Sequence, residues 1–156
     1  MSIERVKAYF AAQGMEARVL EFETSSATVE LAAQAVGCEP SRIAKSLTFK
    51  IDDSAVMIVA AGDARVDNKK YKAVFAQKAK MLTPDEAVSL VGHAVGGVCP
   101  FAVNAGVKVY LDESLRRFET VFPACGSANS AIELTIEELV THSASLGWVD
   151  VCKDWA

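Results

Sequence analysis

Histidine is nearly missing from this 156-residue chain: His93 and His142 are the whole supply, 49 positions apart. Hydrolases built on a serine or cysteine nucleophile need a base within hydrogen-bond reach, so few such schemes are open. The four cysteines, Cys38, Cys99, Cys125 and Cys152, are spaced by 61, 26 and 27 positions, with no CxxC pair. Zinc sites draw their ligands as close pairs, so this spacing argues against a metal. It also argues against a disulfide framework, since a chain with 51% hydrophobic residues can build its own core. Four free thiols, mostly buried, are expected. Neither a P-loop nor a GxGxxG fingerprint occurs, which leaves nucleotide hydrolysis and dinucleotide binding without a motif. No stretch approaches the about 18 uncharged apolar residues of a membrane-spanning helix. Glu4, Arg5 and Lys7 interrupt what would be the apolar core of a signal peptide. A cytoplasmic protein is expected, away from membranes. Repeats and Pro/Gly/Ser-rich linkers are also missing, so residues 1–156 read as one domain.

What is present is a charge asymmetry. The net charge is -4 at pH 7, yet residues 65–80 hold six basic side chains (Arg65, Lys69, Lys70, Lys72, Lys78 and Lys80) against Asp67. That segment carries +5 and leaves -9 for the rest. A basic stripe on an acidic body can engage phosphates locally while net repulsion limits nonspecific binding. On charge alone, a solvated helix face reads the same way.

Periodicity and caps place the elements. Ser2 is positioned as the N-cap of a helix with Ile3, Val6 and Phe10 on one face, stopped at Gly14. A strand-like run spans 17–22; Ser25, Ser26 and Thr28 offer starts for a second helix that carries Val29, Ala32, Ala33 and Val36 on one face and is closed by Gly37. The runs 43–51 and 55–61, separated by Asp52, Asp53 and Ser54, form a hairpin. Asp67 caps a basic helix, with Val66 and Tyr71 as its hydrophobic staple. Two capping boxes, Thr83 to Glu86 and Thr135 to Glu138, each start a helix of about three turns. Strand-like runs at 107–111, 120–123 and 131–134, and an apolar run near Trp148, complete the chain. This order is not the regular alternation of a doubly wound sheet. The expected fold is α/β, with a mixed, curved or barrel-like sheet surrounded by helices.

Two features could carry chemistry. Lys45 interrupts the apolar run Ile43-Ala-Lys-Ser-Leu-Thr-Phe49, where a cation is expensive to bury unless it has an anionic partner or faces a cleft. A strand lysine whose head reaches solvent is the plainer alternative. The loop from Gly92 to Phe101 contains Gly96 and Gly97, which let backbone N–H groups approach a ligand, and Pro100 stiffens its exit. His93 lies six residues from Cys99 in that loop, which leaves a thiol–imidazole hydrolase as a further reading. Nothing nearby in the sequence lowers the thiol pKa.

Taken together, Ile43-Ala-Lys-Ser-Leu47, Gly62-Asp-Ala-Arg-Val-Asp67, the Gly92–Phe101 loop, Asp112-Glu-Ser-Leu115 and Ile132-Glu-Leu134 occur in the order and spacing of the YbaK/EbsC family. These are free-standing relatives of the bacterial prolyl-tRNA synthetase editing domain, and the chain resembles them from about residue 2 to residue 142. The resemblance implies a YbaK-like editing domain that deacylates mischarged tRNA in trans without metal or cofactor. Its partners would be the tRNA acceptor end and prolyl-tRNA synthetase. Lys45 matches the family's signature catalytic lysine. Thr28, Gly96, Gly97, Val98, Cys99, Pro100, Gly126 and Ser127 are the implied substrate-binding residues, and Arg65, Lys69, Lys70 and Lys72 the implied contacts to the tRNA backbone. The ribose hydroxyl of the substrate, rather than a protein nucleophile, would activate water. The cysteine-clearing branch has an aspartate where this chain has Ala131, and an aromatic residue where it has Thr28. The resemblance thus leaves the amino acid open among small side chains such as Cys and Ala. A noncatalytic tRNA- or synthetase-binding module of the same fold is the alternative.

Overall fold

The structure, a computed structural model, describes residues 2–155. In chain order its elements are α1 (Ser2–Ala12), β1 (Val19–Glu21), α2 (Val29–Val36), β2 (Ile43–Ile51), β3 (Ser54–Ala61), β4 (Arg65–Val66), α3 (Asn68–Phe75), α4 (Pro84–Glu86), β5 (Lys108–Asp112), β6 (Thr120–Pro123), β7 (Ser130–Ile132), β8 (Leu134–Thr135), α5 (Ile136–His142), β9 (Trp148–Val149) and β10 (Cys152–Lys153).

The hairpin of β2 and β3 is the centre of the molecule. Asp52 takes a positive φ of 52° in its two-residue turn, and the strands pair antiparallel from Ala44↔Ala61 to Ile51↔Ser54. Around them a six-stranded mixed sheet curls into a half-barrel in the order β8-β6-β2-β3-β5-β9. The pairings β2–β6, β3–β5 and β5–β9 are parallel, whereas β6–β8 is antiparallel. Two small antiparallel ribbons, β1–β7 and β4–β10, flank this sheet. Every residue of β3 from Ala55 to Ala61 is buried, as expected of a strand covered on both faces. Val6 and Phe10 of α1 are fully buried, and Phe10 meets Phe101 edge to face at 4.9 Å. On α2, Ala32 and Ala33 pack on Ile43 and Phe122.

Several expectations need correction. Ser2 lies within α1, and its hydroxyl donates to the Gly126 carbonyl. The first two residues of the expected strand at 17–22 belong to a 3-10 turn, Glu16–Arg18. The run 131–134 is two strands that break at Glu133, whose carbonyl accepts from Arg18 (2.7 Å) and whose side chain accepts from Thr120 (2.7 Å) and Arg42 (3.2 Å). Its halves join different sheets. Both capping boxes form, but their helices are shorter than three turns. α4 passes after Glu86 into a π-turn, Ala87–Val91, and α5 has seven residues. Finally, the basic stripe is not all helical. Asp67 caps α3 by accepting from the Lys69 and Lys70 N–H groups, but the helix ends at Phe75, where Ala76 takes a φ of 61°. Lys78 and Lys80 lie beyond it, on a segment whose Lys80 carbonyl accepts from the β2 residue Lys50.

Candidate functional site

The cavity arises from an interruption in strand pairing. On the side of β2 away from β3, β6 pairs only with Ile43 and Ala44. Further along, residues 80–82 run beside Thr48–Lys50, with Leu82 N donating to the Thr48 carbonyl (3.1 Å). Between these stretches no named strand pairs with residues 45–47 on that side, and a cavity of about 200 Å³ occupies the region. Thr28 and Val29 at the start of α2, Lys45 and Ser46 on β2, Gly96 of the loop, and Ala131 of β7 contribute to its lining. Of the described residues that line it, Lys45 is the one ionisable side chain. Ser26 Oγ and Ser46 Oγ, buried atoms of lining residues, make no hydrogen bond to another described group. Their capacity to bond is unspent.

Lys45 is half-buried, and its Nζ donates to the Ala64 carbonyl. Burial lowers its pKa most, because it disfavours the ammonium; Arg65 lowers it further, whereas Cys152, Asp63 and Glu30 raise it. Cys152 is pushed up to about 12 by burial, so it is a neutral thiol near pH 7 and lends no charge there.

The loop meets the cavity through a turn. Gly97 N–H donates to the Ala94 carbonyl (3.0 Å), and Gly96, third in that turn, has a φ of 94°. This is the pattern of a type II turn, whose third residue must accept a positive φ. The two glycines have different reasons to be glycine. A Cβ on Gly96 would find only ordinary contacts, at 3.5 Å or more. A Cβ on Gly97 would stand 2.6 Å from the Ser127 backbone nitrogen and 2.7 Å from the Gly126 carbonyl carbon. Gly97 therefore packs the loop onto residues 126–127, and its N–H is already committed.

The structure brings together Lys45, Thr28, Gly96 and Val98. Gly97, Cys99, Pro100, Gly126 and Ser127 are not among the lining residues. Thr28 spends its hydroxyl as the α2 N-cap, accepting from Leu31 N–H (3.2 Å). Cys99 is fully buried, with its thiol pushed up to about 12 by desolvation, so it remains protonated. Gly126 packs against the backbone of Ser2 and Ile3, and Ser127 bonds to Asn129 and Ser130. Among the basic residues, Arg65 sits on β4 and Lys69 and Lys72 are exposed on α3. Lys70 is tied to Asp150 (3.1 Å) and to the Cys152 carbonyl (2.9 Å). Ser26, Ser46, Thr48, Met81 and Ser130 line the cavity without having been singled out as site residues. Ser26 alone had a local signal, in the polar approach to α2.

This curled mixed sheet has a known counterpart. The crystal structure of a candidate trans-editing enzyme for prolyl tRNA synthetase superposes with a TM-score of 0.87 at 31% identity, over 97% of each chain. The profile of the aminoacyl-tRNA editing domain matches residues 23–141, and the chain belongs to that family. It is 56% identical over 156 residues to YwhH of Bacillus subtilis (strain 168), itself uncharacterized, covering 99% of both chains. It is also 36% identical over 90 residues to the proline–tRNA ligase of Thermotoga sp. (strain RQ2), covering 57% of this chain but 15% of the ligase.

Proposed function

We propose that this protein is a trans-acting hydrolase of mischarged aminoacyl-tRNA, most simply proline tRNA carrying a wrong small amino acid such as Cys or Ala. Residues 1–156 would form one cytoplasmic editing domain. The observation that carries this reading is the cavity lined by one ionisable group, Lys45, and otherwise by small, apolar and hydroxyl-bearing side chains. An aminoacyl ester is already activated, so positioning and charge stabilisation suffice. Lys45 would engage the terminal phosphate and ester region and favour the negative charge that develops on the carbonyl oxygen. Water adds to that carbonyl; the C–O bond to the terminal ribose then breaks, releasing the free amino acid and returning a proton to the ribose oxygen. Because no lining histidine or carboxylate offers a base, the neighbouring ribose hydroxyl is the group we assign to orient the water. The buried hydroxyls of Ser26 and Ser46, unpaired with any other described group, would reach the aminoacyl group by rotating toward the cavity. Arg65, Lys69 and Lys72 would meet the tRNA backbone, whereas Lys70 is already paired with Asp150, and prolyl-tRNA synthetase is the expected partner.

The test is a panel of mischarged tRNAs with wild-type protein and Lys45→Ala. Wild type should deacylate at least one, and the variant should lose about 10²–10³-fold in kcat. Activity that survives the substitution removes Lys45 from the mechanism. Equal binding of charged and uncharged tRNA, with no turnover across the panel, would identify a binding module instead.

A further inference from the structure

We infer that Asp63, paired with Arg117, is a positioning residue for Lys45: it fixes the turn whose Ala64 carbonyl holds the lysine amine. The inference rests on the proposed role of Lys45 for its kinetic consequence, though not for its structural statement.

The connection can be followed bond by bond. Lys45 Nζ donates to the carbonyl of Ala64, a fully buried residue whose own N–H donates to the Ala61 carbonyl (3.0 Å). Asp63 stands in that turn. Its two carboxylate oxygens take both terminal nitrogens of Arg117, at 2.6 and 3.0 Å, a fork-to-fork arrangement that fixes direction as well as distance. Arg117 is itself restrained: Nε donates to the Ser114 carbonyl (2.9 Å), and the guanidinium lies over the rings of Phe118 (4.8 Å) and Trp155 (5.1 Å). The same 3-10 helix, Glu113–Arg117, grips the turn a second time, because buried Ser114 Oγ accepts from Ala61 N–H (3.1 Å). Ser114 is held in turn by the buried carboxylate of Asp112 (3.0 Å). The turn is thus clamped at both Ala61 and Asp63.

A partly exposed ion pair adds little stability on its own. This one matters for where it leads. The groups acting on Lys45 are Asp63 from the turn, Glu30 from α2, Arg65 from β4 and the Cys152 thiol from β10. With Cys152 neutral, Asp63 exerts the stronger upward pull of the two carboxylates. The influence is mutual, since the Asp63 carboxyl is held low chiefly by Arg117 and to a lesser degree by Lys45.

The experiment compares the wild-type chain with Asp63→Asn and Asp63→Glu, using Lys45→Ala to assign the Lys45 side-chain signal in lysine-labelled NMR spectra. Asn keeps the shape and removes the charge, so Lys45 should titrate at lower pH than in wild type. Glu restores the charge one methylene further out and should recover that titration. On a mischarged tRNA that wild type deacylates, Asp63→Asn should lower kcat by about a hundredfold with KM little changed. The alkaline limb of its pH–rate profile should also move to lower pH, because the ammonium is lost sooner. An unchanged Lys45 titration in Asp63→Asn overturns the inference, as does a loss of kcat with an unmoved pH limb, which is what mere destabilisation would give. If wild type deacylates nothing, the proposed function fails and the NMR titration alone decides the positioning role.

Discussion

Lys45 and Cys99 show how burial sorts side chains that look equally reactive in a sequence. Lys45 was legible because a cation in an apolar run needs an anionic partner or a cleft; the structure supplies a cavity, and the neutral Ala64 carbonyl takes one of the ammonium's hydrogen bonds. Cys99 drew notice through its nearness to His93, and in space the pair is close, Sγ lying 3.6 Å from Nε2. Yet both residues are fully buried, Nε2 is engaged with the Phe101 carbonyl at 2.8 Å, and the thiol is held protonated. A nucleophile needs the thiolate and a route for substrate, neither of which sequence spacing reports. Cys99→Ala should therefore leave kcat/KM within about twofold while costing about 1 kcal/mol in urea unfolding. Loss of turnover in a variant that still unfolds cooperatively would return the thiol to the chemistry.

The hairpin, the α2 caps and both capping boxes could be read locally because each depends on residues within a few positions of one another. The ribbons β1–β7 and β4–β10 could not, since a two- or three-residue strand has no periodicity and is held only by its partner. The cavity belongs with these: it lies between two distant segments that approach β2, and nothing in the run Ile43 to Ile51 marks where pairing stops. The loop glycines were half legible. Their presence was read as access for a ligand, whereas Gly97 answers mainly to its contact with residues 126–127. Gly96→Ala should cost about 1 kcal/mol through its positive φ. Gly97→Ala should cost more, about 2–3 kcal/mol, because backbone must move to admit the methyl group. Denaturant midpoints of the two variants check this ordering, and equal midpoints would refute the packing role.

A long-range tie joins the turn before β1 to α5. Arg18, beside β1, forks onto Glu138 of α5 at 2.7 and 2.9 Å and reaches the Glu133 carbonyl at 2.7 Å. The Arg18 hydrogen bonds are the main cause that holds the Glu138 carboxyl down to about 2, from an ordinary value of 4.5. A carboxyl depressed in the folded state stabilises above its unfolded pKa, and that stability drains away as pH falls through the interval. Between pH 4.5 and 2, wild-type stability should fall more steeply than that of Glu138→Gln, as urea midpoints across that range would show. Parallel curves would mean that the fork adds nothing to the acid response.

The ribbon of β4 with β10 bears on the timing of assembly. Val66 pairs with Cys152, and Asp67 N–H donates to the Val151 carbonyl at 2.8 Å. A ribosome that has translated through residue 141 has delivered every residue of the family match, yet the segment that follows Ala64 still lacks its neighbouring strand. The lysine's surroundings are therefore completed only after residues 148–153 have cleared the exit tunnel and doubled back past the sheet. A nascent or prematurely terminated chain would carry Lys45 and the cavity's lining without their full setting.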